Sequence, residues 1–421
     1  MNPIQFLTEG IRIAVGAIRS NRLRSILTML GVATGIFAIV GILTMVNSMQ
    51  TSVTESVASL GNTTIFVHHW PWAEGGNEWY KFINRPKVSY RDYQKLKQNL
   101  SAVRGVCYQV TVPGQTIKAS GRSVSNIQVV GTTHDIIRVS DIDLSNGRFF
   151  SEVESRRGAS ICVIGHNIAT NLFPNSDPIG QHLVAGGKRL EVVGVQTRQG
   201  APLFPGPPSE DDRMYIPYAV LPAMFNQNIR SLDKLIIIKA NTYEDVPLIE
   251  SEIVGNMRAV RGLKAGTDNN FAINKQEMLM NSFARFFGFL KTGGWVISIF
   301  SILIGGFSIG NIMYICVRER TNEIGVQKAL GATRGFILYQ FVVESVLICL
   351  SGGLVGMGVV VLLGLLVQGI MSAAGLPFTV SIAPGDMVLG LTLSVGTGLV
   401  SGIIPASMAA STDPVTAIRH A

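Results

Sequence analysis

The chain sets four long apolar runs against one long polar block. The runs cover residues 26–46, 292–317, 336–370 and 387–410, and the third is interrupted only by Glu344. Each is long enough to cross a bilayer core, which takes about 20 predominantly apolar residues. The pattern predicts a cytoplasmic N-terminal segment (1–24), a first span (25–47), an outer domain (48–285) and a second span (286–317). A cytoplasmic loop (318–334), a third span (335–370), a short outer loop (371–386), a fourth span (387–410) and a cytoplasmic tail (411–421) follow.

Inside the polar block the periodicity changes. Seven runs rich in Val and Ile read as strands: "NTTIFVHH", "VCYQVTV", "SNIQVVGTT", "ASICVIG", "RLEVVGV", "RMYIPY" and "KLIIIKA". Helical patterns stand between them. "SYRDYQKLKQNL" places Asp92 three residues after Ser89, close to a capping box. "TYEDVPLIESEIVGNMRAV" has an apolar face, and its Pro247 is tolerated only in the first turn. The stretch 199–212, "QGAPLFPGPPSEDD", holds four prolines and reads as a loop. The expected fold class is an α-helical membrane protein with four transmembrane helices and a large extracytoplasmic mixed α/β domain inserted between the first and second. A block of this length is expected to hold two lobes. Residues 47–62 and 275–294 keep helical periodicity without Pro, so the first and second spans are expected to run on as helices beyond the bilayer; plain connectors are the alternative.

Charge sets the orientation. Arg12, Arg19, Arg22 and Arg24 precede the first span, and Arg318, Arg320, Lys328 and Arg334 lie between the second and third. Residues 371–386 contain neither Lys nor Arg. Basic residues in short loops stay cytoplasmic, which puts both termini, Arg419 included, inside and the large block outside. The first apolar run spans 21 residues with no A-x-A site after it, so a retained anchor is expected rather than a cleaved signal peptide.

Composition narrows the function. Only 15% of the 421 residues are charged and mean hydropathy is +0.34, against about 25% charged in an ordinary soluble protein. The net charge of +8 is spread thinly, with no basic tract, so no nucleic-acid partner is expected. None of the six histidines has a metalloenzyme spacing. His68-His69 beside Trp70 reads as a surface pair, and no metal is expected. Cys107 and Cys162 fall in the outer block, where either a disulfide or two buried free thiols is open. No G-x-x-x-x-G-K-[ST] stretch occurs, so phosphates are not cradled by that means.

Each span carries glycines four apart: Gly31 and Gly35, Gly306 and Gly310, Gly352 and Gly356, Gly398 and Gly402. Such pairs let helix backbones approach in lipid. Glu344 is the one ionisable residue well inside the spans, whereas ion and proton pathways show several. The spans are thus suited to holding and moving something rather than conducting it.

The loop "RERTNEIGVQKALGATRGF", 318–336, is charged and compact. Glu323, Ile324, Lys328 and Leu330 fit a short helix stopped at Gly331. Ile324 and Leu330 would lean on lipid or the span roots, and Glu323 and Lys328 would face water or a partner. On pattern alone, an ordinary amphipathic turn fits as well as a docking knob.

Glu319-Arg320, Glu323-Ile324-Gly325 and the run from Lys328 to Ala332 resemble the "ER…EIG…KALGA" signature of FtsX-like, MacB-type permeases of ABC transporters. "NRLRSILTMLGVATG" at 21–35, "NGRFFSEVE" at 146–154, "VIGHNIATNLFP", "DPIGQHL", "EVVGV" and the C-terminal "GIIPASMAASTDPVTAIRHA" agree with that resemblance, which covers nearly the whole chain. Residues 68–86 match nothing in it. The resemblance implies a dimer, homomeric or with a related permease, each chain bound to a cytoplasmic ABC ATPase. It implies that the loop is a coupling helix, with Glu319, Glu323, Ile324, Gly325, Lys328, Ala329, Leu330, Gly331 and Ala332 at the ATPase contact. ATP and Mg would sit in that partner, with no cofactor on this chain and no catalytic residue. Family members work by mechanotransmission, in which ATP-driven movement changes the shape of the outer domain. The implied setting is the bacterial inner membrane, with the large domain periplasmic and a periplasmic adaptor and outer-membrane channel as further partners. The expected function is efflux or extraction of a substrate; the alternative is an FtsX-like signalling permease that activates a partner such as a cell-wall hydrolase.

Overall fold

A computed structural model describes residues 22–58, 61–72, 79–200, 209–225, 232–373 and 379–414. Arg12, Arg19, Arg419 and most of the proline-rich stretch lie outside the described residues. The chain divides into two compact units: one holds residues up to Thr51, Arg285–Met371 and Thr379 onward, the other Ser52–Ala284 with Ser372–Phe378. Helix α1 (Arg22–Ala58) runs unbroken across the first boundary.

The outer unit is built on one ten-stranded sheet. Its strands are β1 (Thr64–His68), β2 (Val103–Ala119), β3 (Arg122–Thr132), β4 (Leu144–Gly147) and β5 (Ile161–Ile164), then β6 (His182–Ala185), β7 (Lys188–Gln196), β8 (Arg213–Pro217), β9 (Asp233–Ala240) and β10 (Ala272–Lys275). The order across the sheet is β10-β1-β9-β2-β3-β8-β5-β7-β4, with β6 bridging β2 and β7. Most neighbours are antiparallel; β3 with β8 and β5 with β7 are parallel. Each of the seven Val/Ile runs supplies a strand. The shorter β4, β6 and β10 carry too few apolar residues to signal themselves and form by pairing with a neighbour. Ser120 and Gly121, both at positive φ (50° and 76°), close the β2–β3 hairpin in two residues, as a type I′ turn requires.

One main apolar core runs beneath both ends of the sheet, from Ile65 and Tyr108 to Cys162, Val192 and Ile253. Neither sheet nor core breaks where two lobes would have to part. Helices α2 (Tyr90–Asn99) and α3 (Val246–Val260) pack on the sheet. Ser89 and Asp92 form the reciprocal cap of α2, and Pro247 sits in the first turn of α3, where its missing N–H costs nothing. Arg261, just after α3, pairs with the buried Asp92 at 2.9 Å. Cys107 and Cys162 are free buried thiols in different cores, the first with Phe66 and Ile136, the second in the main core. Burial pushes the Cys107 thiol up to about 11, so it is protonated and inert.

Among the described residues, four helices are long and apolar enough to cross a membrane, and most of their length lies in the second unit. They are α1, α4 (Gln276–Glu319), α6 (Arg334–Ala373) and α7 (Pro384–Ser411); between α4 and α6 lies the short α5 (Thr321–Ala329). At 1.5 Å per residue the 44-residue α4 is about 66 Å long, well over the ~30 Å hydrocarbon thickness. The core of this unit joins Val32, Ile36, Ile309, Met313, Phe341 and Ala406. Side chains such as Phe307 (77% exposed), Val400 and Ile404 cover the outside with apolar surface, as lipid-facing positions should.

The glycines divide by role. A Cβ added at Gly356 would lie 2.5 Å from the Ala33 carbonyl oxygen, and one at Gly352 would lie 2.8 Å from that of Met29, so α6 touches the α1 backbone there. A Cβ at Gly398 would meet Val346 Cα at 2.8 Å, and one at Gly402 would collide with Ser345, so α7 touches α6. A Cβ added at Gly306 would lie 2.9 Å from Ser401 Oγ, and one at Gly35 would lie 3.4 Å from the Ser301 carbonyl oxygen. Gly310 is in ordinary contact, and Gly31 has nothing within 4 Å, so its spacing to Gly35 does not reflect a close approach of its own. Gly294, Gly353 and Gly390 also sit at close approaches, against Ile42, Ser394 and Val40. They fall outside the four-residue spacing because three helices converge rather than two.

Candidate functional site

The loop between α4 and α6 folds as two sharp corners around α5. At the first corner α4 ends and Ile324 N–H already bonds to the Arg320 carbonyl at 3.0 Å. Thr321 Oγ1 donates to the carbonyls of Val317 and Arg318, covering the end of α4. At the second, Gly331 has φ +101°. Its N–H bonds to the Lys328 carbonyl, and Ala332 N–H to that of Gln327, both at 3.0 Å. This is the Schellman closure, which favours Gly because a side chain strains the backbone at that φ. Thr333 then caps α6, its hydroxyl accepting from Phe336 N–H. The string Leu-Gly-Ala-Thr is therefore a stop followed immediately by a start.

The apolar face of α5 splits in two. Ile324 is buried (2% exposed), as is Gly325, and Ile324 shares the core of Val317, Ile337, Phe341 and Ala409. These two residues anchor the helix to the span roots and are not available to a partner, a correction to their expected place at an ATPase contact. Leu330 does the reverse: expected against lipid or the roots, it is 85% exposed. Val326 (46% exposed), Ala329 and Gly331 are exposed with it, beside exposed Glu319 and Glu323. Val326 was not distinguished by sequence, because its neighbour Ile324 looks identical until the helix phase is known. Ala332 is half-buried against the core.

Lys328 also departs from expectation. Its ammonium donates to the carbonyls of Ala410 (2.7 Å) and Thr412 (2.6 Å), at the C-terminal end of α7. The last carbonyls of a helix lack intrahelical partners, and a cation there complements the dipole. Lys328 thus ties α5 to the foot of α7 instead of facing a partner. Burial first, then Arg334, pushes its ammonium pKa down, with Asp413 opposing.

Glu344, two to three turns into α6, is buried at 5% side-chain exposure and faces Arg320 at 3.5 Å. This contact links the corner after α4 to α6. Composition marked Glu344 as isolated; only the fold brings it a cation. Close by in sequence, the buried Gln340 Oε1 has no hydrogen-bond partner among the described residues.

An exposed apolar corner with acidic neighbours is thus held on a helix pinned to α4, α6 and α7. Such an apolar corner on a fixed helix suits docking.

The chain is similar to known proteins. The MacB-like periplasmic core domain profile matches residues 25–255, and the FtsX-like permease C-terminal profile matches 295–414. The macrolide export ATP-binding/permease protein MacB of Bdellovibrio bacteriovorus is 28% identical over 99% of this chain and 62% of its own length. An ABC transporter permease of Bacillus subtilis, YknZ, is 28% identical over 98% of this chain and 99% of its own. The chain spans about three fifths of the length of the MacB relatives it matches. The periplasmic region of MacB from Actinobacillus actinomycetemcomitans overlays 55% of this chain and 96% of that region at 14% identity, with a TM-score of 0.44. With an outer sheet, four spans and a capped loop helix matched by these two profiles, the chain belongs to the MacB-like, FtsX-like family of ABC transporter permeases.

Proposed function

We propose that this chain is a permease subunit that couples ATP hydrolysis by a cytoplasmic ABC ATPase, carried on a separate polypeptide, to a change of shape in its extracytoplasmic domain. One observation carries the reading: Leu330, Val326 and Ala329 are left exposed on a helix whose other side is fastened by Ile324, Lys328 and the Schellman turn. A helix fixed at its back and apolar at its front transmits force from whatever docks on it. An ABC transporter permease of Bacillus subtilis is matched over 99% of its own length, which supports a permease role beside an ABC ATPase that holds ATP and Mg. The continuous helices α1 and α4 would carry the movement. The same reading places the chain in a bacterial inner membrane as a homodimer or a heterodimer with a related permease. It moves substrate by efflux or extraction, with an adaptor and outer-membrane channel as partners in diderm cells. The sparse ionisable groups in the spans favour such mechanical work over conduction through them.

The test is reconstitution of the full chain in nanodiscs with its ABC ATPase. The reading expects a nucleotide-dependent complex and stimulated ATP hydrolysis. An ATPase that neither binds nor responds refutes it.

A further inference from the structure

A cluster unrelated to the loop stands in the outer unit. His68 ends β1, His69 follows it, and Asp233 opens the neighbouring antiparallel strand β9. Each offers one ligand atom, and these atoms lie within 4.8 Å of one another. The sequence suggested a surface pair of histidines. The fold instead half-buries both rings and adds a carboxylate 165 residues away.

We propose that His68, His69 and Asp233 form a binding site for a divalent transition-metal ion of the zinc class. Two imidazoles and one carboxylate are a donor set suited to zinc, and to cobalt, nickel and copper. Hard ions such as magnesium prefer oxygen ligands throughout. Tetrahedral zinc with bonds near 2.0–2.1 Å sets its ligand atoms about 3.3 Å apart. The His68 Nε2 to Asp233 Oδ1 distance is 2.6 Å. Metal binding would open that pair by about 0.7 Å and draw His69 inward.

Three features show that the surroundings serve a ligand. First, His69 Nδ1 is buried and has no hydrogen-bond partner among the described residues. Buried polar atoms are rarely left so, and each needs an explanation. Second, His68 Nδ1 has both a donor and an acceptor in reach, the Trp70 N–H at 3.2 Å and the Trp70 carbonyl at 3.3 Å. With Nε2–H donating to Asp233, Nδ1 accepts from Trp70 N–H. With Nε2 on a metal, Nδ1–H donates to the Trp70 carbonyl, the support that metal-bound imidazoles usually have. The ring changes tautomer and the site is satisfied in both states. Third, that carbonyl is fixed from behind: the fully buried Asn274 donates to it at 2.9 Å and accepts from Trp72 N–H at 2.9 Å.

Electrostatics work both ways. Burial, then His68, holds the His69 imidazole down at about 4, with Lys87 and Arg85 adding to this and Asp233 opposing. The positive Lys87 lowers affinity for a cation. A bound ion cross-links the end of β1 to the start of β9.

The test is zinc titration of the full chain in detergent, free of any affinity histidines, by calorimetry at pH 7.5. Wild-type protein should bind one zinc per chain, and magnesium should not compete. Loss of a supporting residue around a metal costs about 10–100-fold, so His69→Gln and Asp233→Asn should each weaken binding at least about tenfold, while His182→Gln leaves it unchanged. Size-exclusion profiles and far-UV circular dichroism confirm that the variants are folded; should one fail, the other decides. No zinc binding by wild type, or full binding by folded His69→Gln or Asp233→Asn, overturns the proposal. The permease role is independent of either outcome.

Discussion

Replacing Leu330 by Asp isolates docking from folding. Leu330 is 85% exposed, so its side chain contributes almost nothing to the packing of its own unit. Surface changes of this kind alter stability by about 0.5 kcal/mol or less. If an ATPase groove encloses it, burial of a Leu side chain contributes about 1.5–3 kcal/mol to the complex. At about 1.4 kcal/mol per tenfold, losing that term weakens binding roughly 10- to 150-fold. A carboxylate driven into the same groove adds a desolvation cost, so the upper end is expected. The contrast is Glu323→Lys: an exposed ion pair is worth at most about 1 kcal/mol, or roughly a fivefold loss. The assay titrates ATPase into nanodiscs of each variant and reads stimulated hydrolysis and transport. Leu330→Met should behave as wild type, and Leu330→Asp should insert and melt normally while losing coupling. Wild-type affinity and turnover in Leu330→Asp would refute the claim that this exposed corner is the docking surface.

Other expectations follow from the packing. Gly356→Ala places a methyl group 2.5 Å from the Ala33 carbonyl and should cost about 1–3 kcal/mol, seen as a lower melting temperature in detergent, whereas Gly31→Ala should be nearly neutral. Arg320→Ala strips the buried Glu344 of its cation and should destabilise by up to about 3–5 kcal/mol, less whatever water reaches the partly exposed arginine; adding Glu344→Gln should recover much of the loss in a double-mutant cycle. In the outer unit, the bidentate Arg148 and the Ser151 N–H hold the Glu154 carboxyl down to about 2. A carboxyl depressed on folding stabilises above its unfolded value of about 4.3 and loses that contribution as pH falls toward 2. Glu154→Gln should therefore be less stable than wild type at neutral pH by about 1–2 kcal/mol, after discount for exposure, and equal to it near pH 2 in acid-unfolding curves.

Much of this architecture was legible in one dimension. Four apolar runs are a property of solvation, which acts on each segment separately, so the candidate spans need no knowledge of contacts. Seven strands, the cap at Ser89 and the first-turn Pro247 were equally local, because β-branched runs, capping residues and proline act on their own backbone. So was Gly331 as the stop of the loop helix.

What the chain could not declare is which residues meet. Ile324 and Leu330 are both aliphatic and six apart, yet one is buried as an anchor and the other is left exposed, because helix phase and the Schellman turn point them oppositely. Lys328 looked like a partner's counter-ion until α7 ended beside it with unpaired carbonyls. Glu344 found Arg320, and His68-His69 found Asp233, only when distant segments were folded together. Local free energies select helix, strand and span from neighbouring residues alone. Burial, ion pairing and ligand geometry depend on groups that are far apart along the chain, so tertiary structure alone decides them.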